Sequence, residues 1–185
     1  SSSSNGRLTT YQRNAQTGAL TFLQVRFEGQ LIGSCSPFCF FLDGLAGAFE
    51  VVVSQDGRYV YTANLHDDTV ARFPRNSDGT LNWGGALRDG INGADGFDGV
   101  RGLALSPDGR YLYAAAFTDQ ALTVLSRDED SGILTPYQTI FRNSGTGLPA
   151  LNGAQSVAVS PDGASVYTTG YLDDAIVLLP TANPV

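Results

Sequence analysis

Side chains suited to acid–base or nucleophilic work are scarce in this chain of 185 residues, which has one histidine, two cysteines and no lysine. Without lysine there is no Schiff-base nucleophile and no lysine to hold a phosphate. The histidine, His66, stands in Asn64-Leu65-His66-Asp67-Asp68; it reads first as a solvent-facing turn residue and second as a general base. Glu50 and Arg101 are the charged residues best suited to binding or polarising an ester carbonyl. The competing reading makes them a buried ion pair or part of a wet channel lining. Asp43, Asp95, Asp98 and Asn152 stand in the loops that lead into the innermost strands, where loops rimming one mouth of a central channel would meet a ligand. Asp43, Asp95 and Asp98 also offer hard oxygen ligands to a cation such as Ca2+, although carboxylates so placed equally cap backbone N–H groups. No other cofactor is implied.

The elements that must position these residues are repeats. Ser54-Gln55-Asp56-Gly57 recurs as Ser106-Pro107-Asp108-Gly109 and Ser160-Pro161-Asp162-Gly163, a period of 52 to 54 residues, and that period reads as one propeller blade. Each copy follows an apolar run (Val51-Val52-Val53, Leu103-Ala104-Leu105, Val157-Ala158-Val159) and precedes a β-type run that ends in tyrosine at Tyr61, Tyr113 and Tyr167. Proline presets the turn, aspartate accepts backbone N–H groups and glycine takes the left-handed position, so the unit is strand, tight turn, strand. A second turn carrying Asp67, Asp119 and Asp173 leads to a third strand. Segments Arg75–Leu81 and Arg127–Leu134 then read as hairpins into a fourth. Four strands make a blade. The recurring tyrosines read as sheet packing before they read as a carbohydrate-stacking platform.

Residues 8–25 copy only the third and fourth strands, and the last residues follow a third strand. The expected fold is therefore all-β, a partial β-propeller of about 3.5 four-stranded antiparallel blades. Its divisions are a half blade at 6–30, an inserted loop at 31–42, blades at 43–90 and 91–148, and an incomplete blade at 149–185. An open stack would expose its end sheets, so the partner expected is another protein chain, either the rest of a longer propeller or a second copy. The absence of methionine points to processing or fragmentation.

Cys35 and Cys39 both lie in the insertion, with Pro37 between them. A disulfide across this short loop is the preferred reading, ahead of buried thiols and of redox or metal roles. Two cysteines and one histidine make a poor zinc set. A bridge would favour a secreted, periplasmic or cell-surface location. Phe38, Phe40 and Phe41 make the insertion aromatic. Together with Trp83, whose counterparts in the other repeats are Phe22 and Pro136, they are the expected interface residues.

The formal charge is -7, and fifteen of the eighteen acidic residues are aspartate. That balance, with no basic stripe, argues against nucleic acid. No run is long and apolar enough for a transmembrane helix.

The segment from Asp95 to Tyr113, with Val124-Leu125-Ser126-Arg127 and Ser131-Gly132-Ile133-Leu134 downstream, resembles a blade of the lactonase-like, seven-bladed propeller family. That family includes 6-phosphogluconolactonase-like proteins and surface proteins with Tyr-Val-Thr-Asn repeats. The resemblance runs from Leu8 to Leu179 and implies the scaffold without the activity. The expected role is a structural or protein-interaction subunit of a larger extracytoplasmic assembly. The alternatives are a lactonase-like hydrolase working in the central channel and a carbohydrate- or calcium-binding surface module.

Overall fold

The computed structural model describes residues 6–33, 39–142 and 150–180. Strands β1 (Arg7–Arg13) and β2 (Leu20–Phe27) form a two-stranded sheet. After the ribbon β3 (Leu31–Ile32) and β4 (Phe40–Phe41) come two four-stranded antiparallel sheets. The first is β5 (Ala48–Val53), β6 (Tyr59–Asn64), β7 (Thr69–Pro74) and β8 (Ala86–Arg88); the second is β9 (Val100–Leu105), β10 (Tyr111–Ala116), β11 (Ala121–Arg127) and β12 (Leu134–Phe141). A three-stranded sheet follows, of β13 (Ala154–Val159), β14 (Ser165–Gly170) and β15 (Ala175–Pro180). Every sheet is a meander, with neighbours in sequence paired side by side. This is the expected partial propeller, with the first strands β5, β9 and β13 adjacent from blade to blade.

Three apolar layers lie between successive sheets. Phe73, Leu42 and Leu45 fill the first, where Leu8, Ile32 and Trp83 pack on them. Tyr61, Val70, Phe97, Leu112 and Leu125 fill the second, and Tyr113, Leu122, Leu151 and Val166 the third. Strand alternation explains the allocation: Leu112 faces the preceding blade, Tyr113 the following one.

Two details differ from the sequence reading. The insertion is not only loop, because Leu31 pairs with Phe41 and Ile32 with Phe40. The fourth strand of the first full blade also starts late. After the bridge from Arg75 to Leu81 the chain bulges past Gly84 and Gly85 and pairs regularly only over Ala86–Arg88. Gly84 lies so close to β7 that a Cβ there would stand 2.7 Å from Pro74 Cδ.

Candidate functional site

The repeated Ser-x-Asp-Gly turns are built alike. Ser54 Oγ donates to Asp56 Oδ1 at 2.5 Å, the same oxygen accepts Arg58 N–H at 2.9 Å, and Tyr59 N–H donates to Ser54 Oγ at 3.0 Å. Ser106 with Asp108, and Ser160 with Asp162, repeat the pattern. Gly57, Gly109 and Gly163 have φ of 68°, 75° and 71°, in the left-handed region that glycine adopts without strain. Partial burial works against the charge on Asp56, but hydrogen bonds from Ser54 and Arg58 and the nearby Arg127 win and hold its carboxyl below the ordinary range. These aspartates are structural.

The loops that lead into the first strands are held by acids from two directions. Asp67, Asp119 and Asp173, on the turns after the second strands, accept the N–H of Ala46, Asp98 and Asn152 at 2.7, 2.9 and 3.0 Å. Glu28 accepts Gly44 and Leu45 N–H from the preceding blade, and Asp89 accepts Phe97 N–H. Two carboxylate groups result, Glu28–Asp43–Asp67 and Asp89–Asp95–Asp119. Asp43 and Asp95 therefore belong to different blade junctions. Burial raises the pKa of Glu28, with Asp67 and Asp43 adding to it, and burial raises that of Asp119, with Asp89, Asp98 and Asp95 adding. In the first group Arg88 supplies positive charge, 3.1 Å from Asp43 and 3.9 Å from Asp67. At the third junction Arg142 takes the place of Glu28 and Asp89 and pairs with Asp173 at 3.2 Å.

These oxygens suit a hard cation only in part. One oxygen of Glu28, Asp67, Asp89 and Asp119 is already committed to backbone N–H groups, which is the capping role.

On the inner strands, Glu50 Oε2 accepts Leu103 N–H at 2.7 Å, tying β5 to β9. At the next junction its counterpart is Gly102, where a Cβ would meet Gln155 O at 2.8 Å; direct backbone approach replaces the carboxylate strut there. Arg101 stacks instead of pairing. Its Cζ lies 3.9 Å from the centroid of the Phe117 ring and 5.7 Å from that of Phe49, within cation–π range. Among the described residues no ion pair joins Glu50 to Arg101, and Arg101 Nε is buried without an acceptor.

A third constellation was not foreseen. The hairpin between β11 and β12 closes over the preceding blade. Tyr59 OH donates to Asp130 O, Tyr61 OH donates to Gly132 O at 2.8 Å, and Arg72 Nη1 donates to Ser131 O at 2.5 Å. Arg127, 3% exposed at its side chain, donates from Nε to Tyr61 OH at 2.8 Å and reaches Asp56 at 3.4 Å. The available signal was the recurrence of Arg75 and Arg127 at the ends of the third strands, Arg127 as the last residue of β11 and Arg75 one past β7. The acids Glu28 and Asp89 had a weaker one, because the spacing to the loops they cap differs between blades.

The remaining expected residues are scattered. His66 is exposed on its turn, and its N–H donates to Ala46 O at 3.2 Å. Asp98 and Asn152 contribute backbone groups to the lead-in loops. The Trp83 ring sits 5.3 Å from Phe73, against the core. Phe40 and Phe41 are exposed. Cys35 and Phe38 lie outside the described residues; Cys39 is not a free thiol. No described helix is long and apolar enough to cross a membrane.

A family model described as "Lactonase, 7-bladed beta-propeller" matches residues 37–147 and again 95–183. Among solved structures, a Bacteroides uniformis protein provisionally designated a 6-phosphogluconolactonase is 20% identical with a TM-score of 0.62, over 96% of this chain and 61% of that one. The periplasmic gluconolactonase of Pseudomonas aeruginosa is 22% identical with a TM-score of 0.62, over 80% of this chain and 39% of the other. Sqt1 of Chaetomium thermophilum, bound to the N-terminus of ribosomal protein L10, is 14% identical with a TM-score of 0.66, over 98% and 42%. At such identities the likeness is one of fold. The chain spans 39–61% of the length of these structures. No curated protein matches it.

Proposed function

Since the chain belongs to the seven-bladed lactonase propeller family, we propose that it acts as a structural or protein-interaction subunit of a larger extracytoplasmic assembly whose ring another chain completes or covers. One observation carries this reading. Tyr61 and Val70 on the first full blade are 0% and 1% exposed beneath the next blade, whereas their counterparts on the last sheet, Tyr167 and Ile176, are 41% and 75% exposed. Large apolar side chains on a bare sheet face call for a covering surface. Phe40 and Phe41 offer a second contact on the insertion. The location outside the cytoplasm is supported by Cys39, which is not a free thiol in a chain with only two cysteines, and a Cys35–Cys39 bridge is part of this proposal. The Pseudomonas aeruginosa protein of similar fold is described as periplasmic, which is in keeping with this proposal.

Native mass spectrometry of the assembly isolated from its source tests the reading. The expected species contains the 19.5 kDa chain joined to further polypeptide, whereas a lone folded 19.5 kDa chain overturns it.

A second reading, a lactonase-like hydrolase in the channel, is favoured by Arg101, whose buried Nε lacks an acceptor and whose charge suits a lactone carbonyl or its carboxylate product. Glu50 is already bonded across the blades. Lactone hydrolysis that is absent, or unchanged in Arg101→Gln, removes this reading.

A further inference from the structure

We propose that the exposed face of β14 and β15 receives the β1–β2 hairpin of a second copy of this chain, an inference that rests on the reading of an incomplete propeller covered by another chain. The molecule carries one occupied example of the contact and both halves of an unoccupied one. Arg13-Asn14-Ala15-Gln16-Thr17-Gly18-Ala19-Leu20 aligns without a gap to Arg127-Asp128-Glu129-Asp130-Ser131-Gly132-Ile133-Leu134, sharing the arginine, the glycine and the leucine and pairing Asn14 with Asp128 and Thr17 with Ser131. The backbones agree as well. Gly18 N–H donates to Asn14 O at 2.9 Å and Gly132 N–H to Asp128 O at 2.8 Å. Asn14 Oδ1 accepts Thr17 N–H at 2.9 Å and Asp128 Oδ1 accepts Ser131 N–H at 2.7 Å. Both strand pairs slip register at equivalent points, between Thr10 and Tyr11 and between Val124 and Leu125.

The environments differ. A Cβ on Gly132 would meet the Tyr59 ring at 2.5 Å, while a Cβ on Gly18 would meet nothing within 4 Å. Leu134 is 7% exposed and its counterpart Leu20 64%. The hairpin thus has the backbone shape of the buried one and the leucine that follows its turn, Leu20 for Leu134, without a surface to press on, and Tyr167, Ile176 and Leu178 form a face without a hairpin.

Charge selects the pairing. Arg127 reaches back to Tyr61 OH and Asp56 Oδ2 of the preceding blade. The corresponding donor is the exposed Arg13, and the corresponding acceptors on the last sheet are Tyr167 and Asp162. Asp162 Oδ1 already accepts Ser160 Oγ–H and Ala164 N–H, as Asp56 Oδ1 does in its turn, and Asp162 has no ion pair among the described residues. Arg13 of one copy supplies the missing cation. Each copy presents one hairpin and one face, so the contact is head-to-tail, and two copies satisfy both ends about a two-fold axis.

Native mass spectrometry of the purified chain is expected to give about 39 kDa, two 19.5 kDa chains. Ile176→Asp, which lies outside the turn, weakens the dimer by about tenfold or more. Arg13→Asp and Asp162→Arg each weaken it similarly, and the double exchange recovers most of the loss. Circular dichroism confirms that each variant keeps its sheet content. A chain that stays monomeric at micromolar concentration, or a dimer indifferent to Ile176→Asp and to the exchange, overturns this inference. If the assembly from the source then contains a partner of another mass, the interaction-subunit reading survives; if it contains one folded chain alone, both fall.

Discussion

Residues 14–19 and 128–133 fold into the same hairpin, yet the second is pressed against Tyr59 and Tyr61 while the first stands in solvent. Turn residues specify the local shape in both. What they do not specify is burial, which depends on whether a neighbouring blade presents a matching face. The same holds for the receiving side, where Tyr61 is sealed by Gly132 O and Arg127 and Tyr167 is open. Identical local chemistry therefore carries different energetic weight at two places in one molecule.

The largest test of this contrast is steric. Gly132 has φ of 66° and Gly18 of 74°, so alanine costs about 1 kcal/mol at either from the backbone alone. At Gly132 the added methyl also collides with Tyr59, and Gly132→Ala is expected to lose about 2–4 kcal/mol in total. Urea unfolding of the two variants measures the difference; equal losses would mean that the sealed junction contributes nothing special.

Next comes the hydroxyl. Tyr61→Phe leaves Gly132 O and Arg127 short of a buried partner and is expected to cost about 1–3 kcal/mol. Tyr167→Phe in the monomer should change the unfolding midpoint negligibly.

The pH profile should show two opposed sets of carboxylates. Folding lowers the pKa of Asp56, Asp108 and Asp162 through bonds from the turn, against their partial burial where they have any. Their contribution is present above the ordinary value of 3.8 and is lost as pH falls through the lowered one. Burial raises Glu28, Asp68 and Asp119, so their protonated forms favour the fold and that contribution disappears as pH rises through the raised values. Stability followed downward from pH 7 is thus expected to hold or rise slightly while the second set takes up protons, then to fall as the first set does. A steady decline from neutrality would contradict the assignment.

The smallest effect compares junctions. Asp119→Asn keeps an acceptor for Asp98 N–H and removes a charge from an acidic group, whereas Asp173→Asn breaks the pair with Arg142. At pH 7 the first should gain and the second lose stability, each by up to about 1 kcal/mol. The gain should vanish below the carboxylate range, as thermal melts at the two pH values would report.

Much of the blade was legible because its signals are local. Ser-x-Asp-Gly and the alternation around it sit within a few residues of the bonds they make, and the Asp67 series, whose carboxylates reach N–H groups 21 residues away, was legible only because it recurs once per blade. Glu50 shows the opposite case: its residue type and its place on an inner strand fit substrate chemistry and a structural role alike, and the partner its carboxylate meets, Leu103 N–H, is 53 residues away. Asp43 and Asp95 resemble one another in sequence for a related reason, since each serves its own junction. Arg127 offered only its recurrence with Arg75, because its partners, Tyr61 and Asp56, belong to another blade.

The sequence by itself determined the repeat, the turns and the antiparallel meander, since these follow from φ preferences, short-range hydrogen bonds and the two-residue period of a strand. Only the tertiary structure decided which charged groups are struts, which glycines are indispensable and which apolar faces are left uncovered. Those outcomes depend on distances between residues tens of positions apart, which no local pattern encodes.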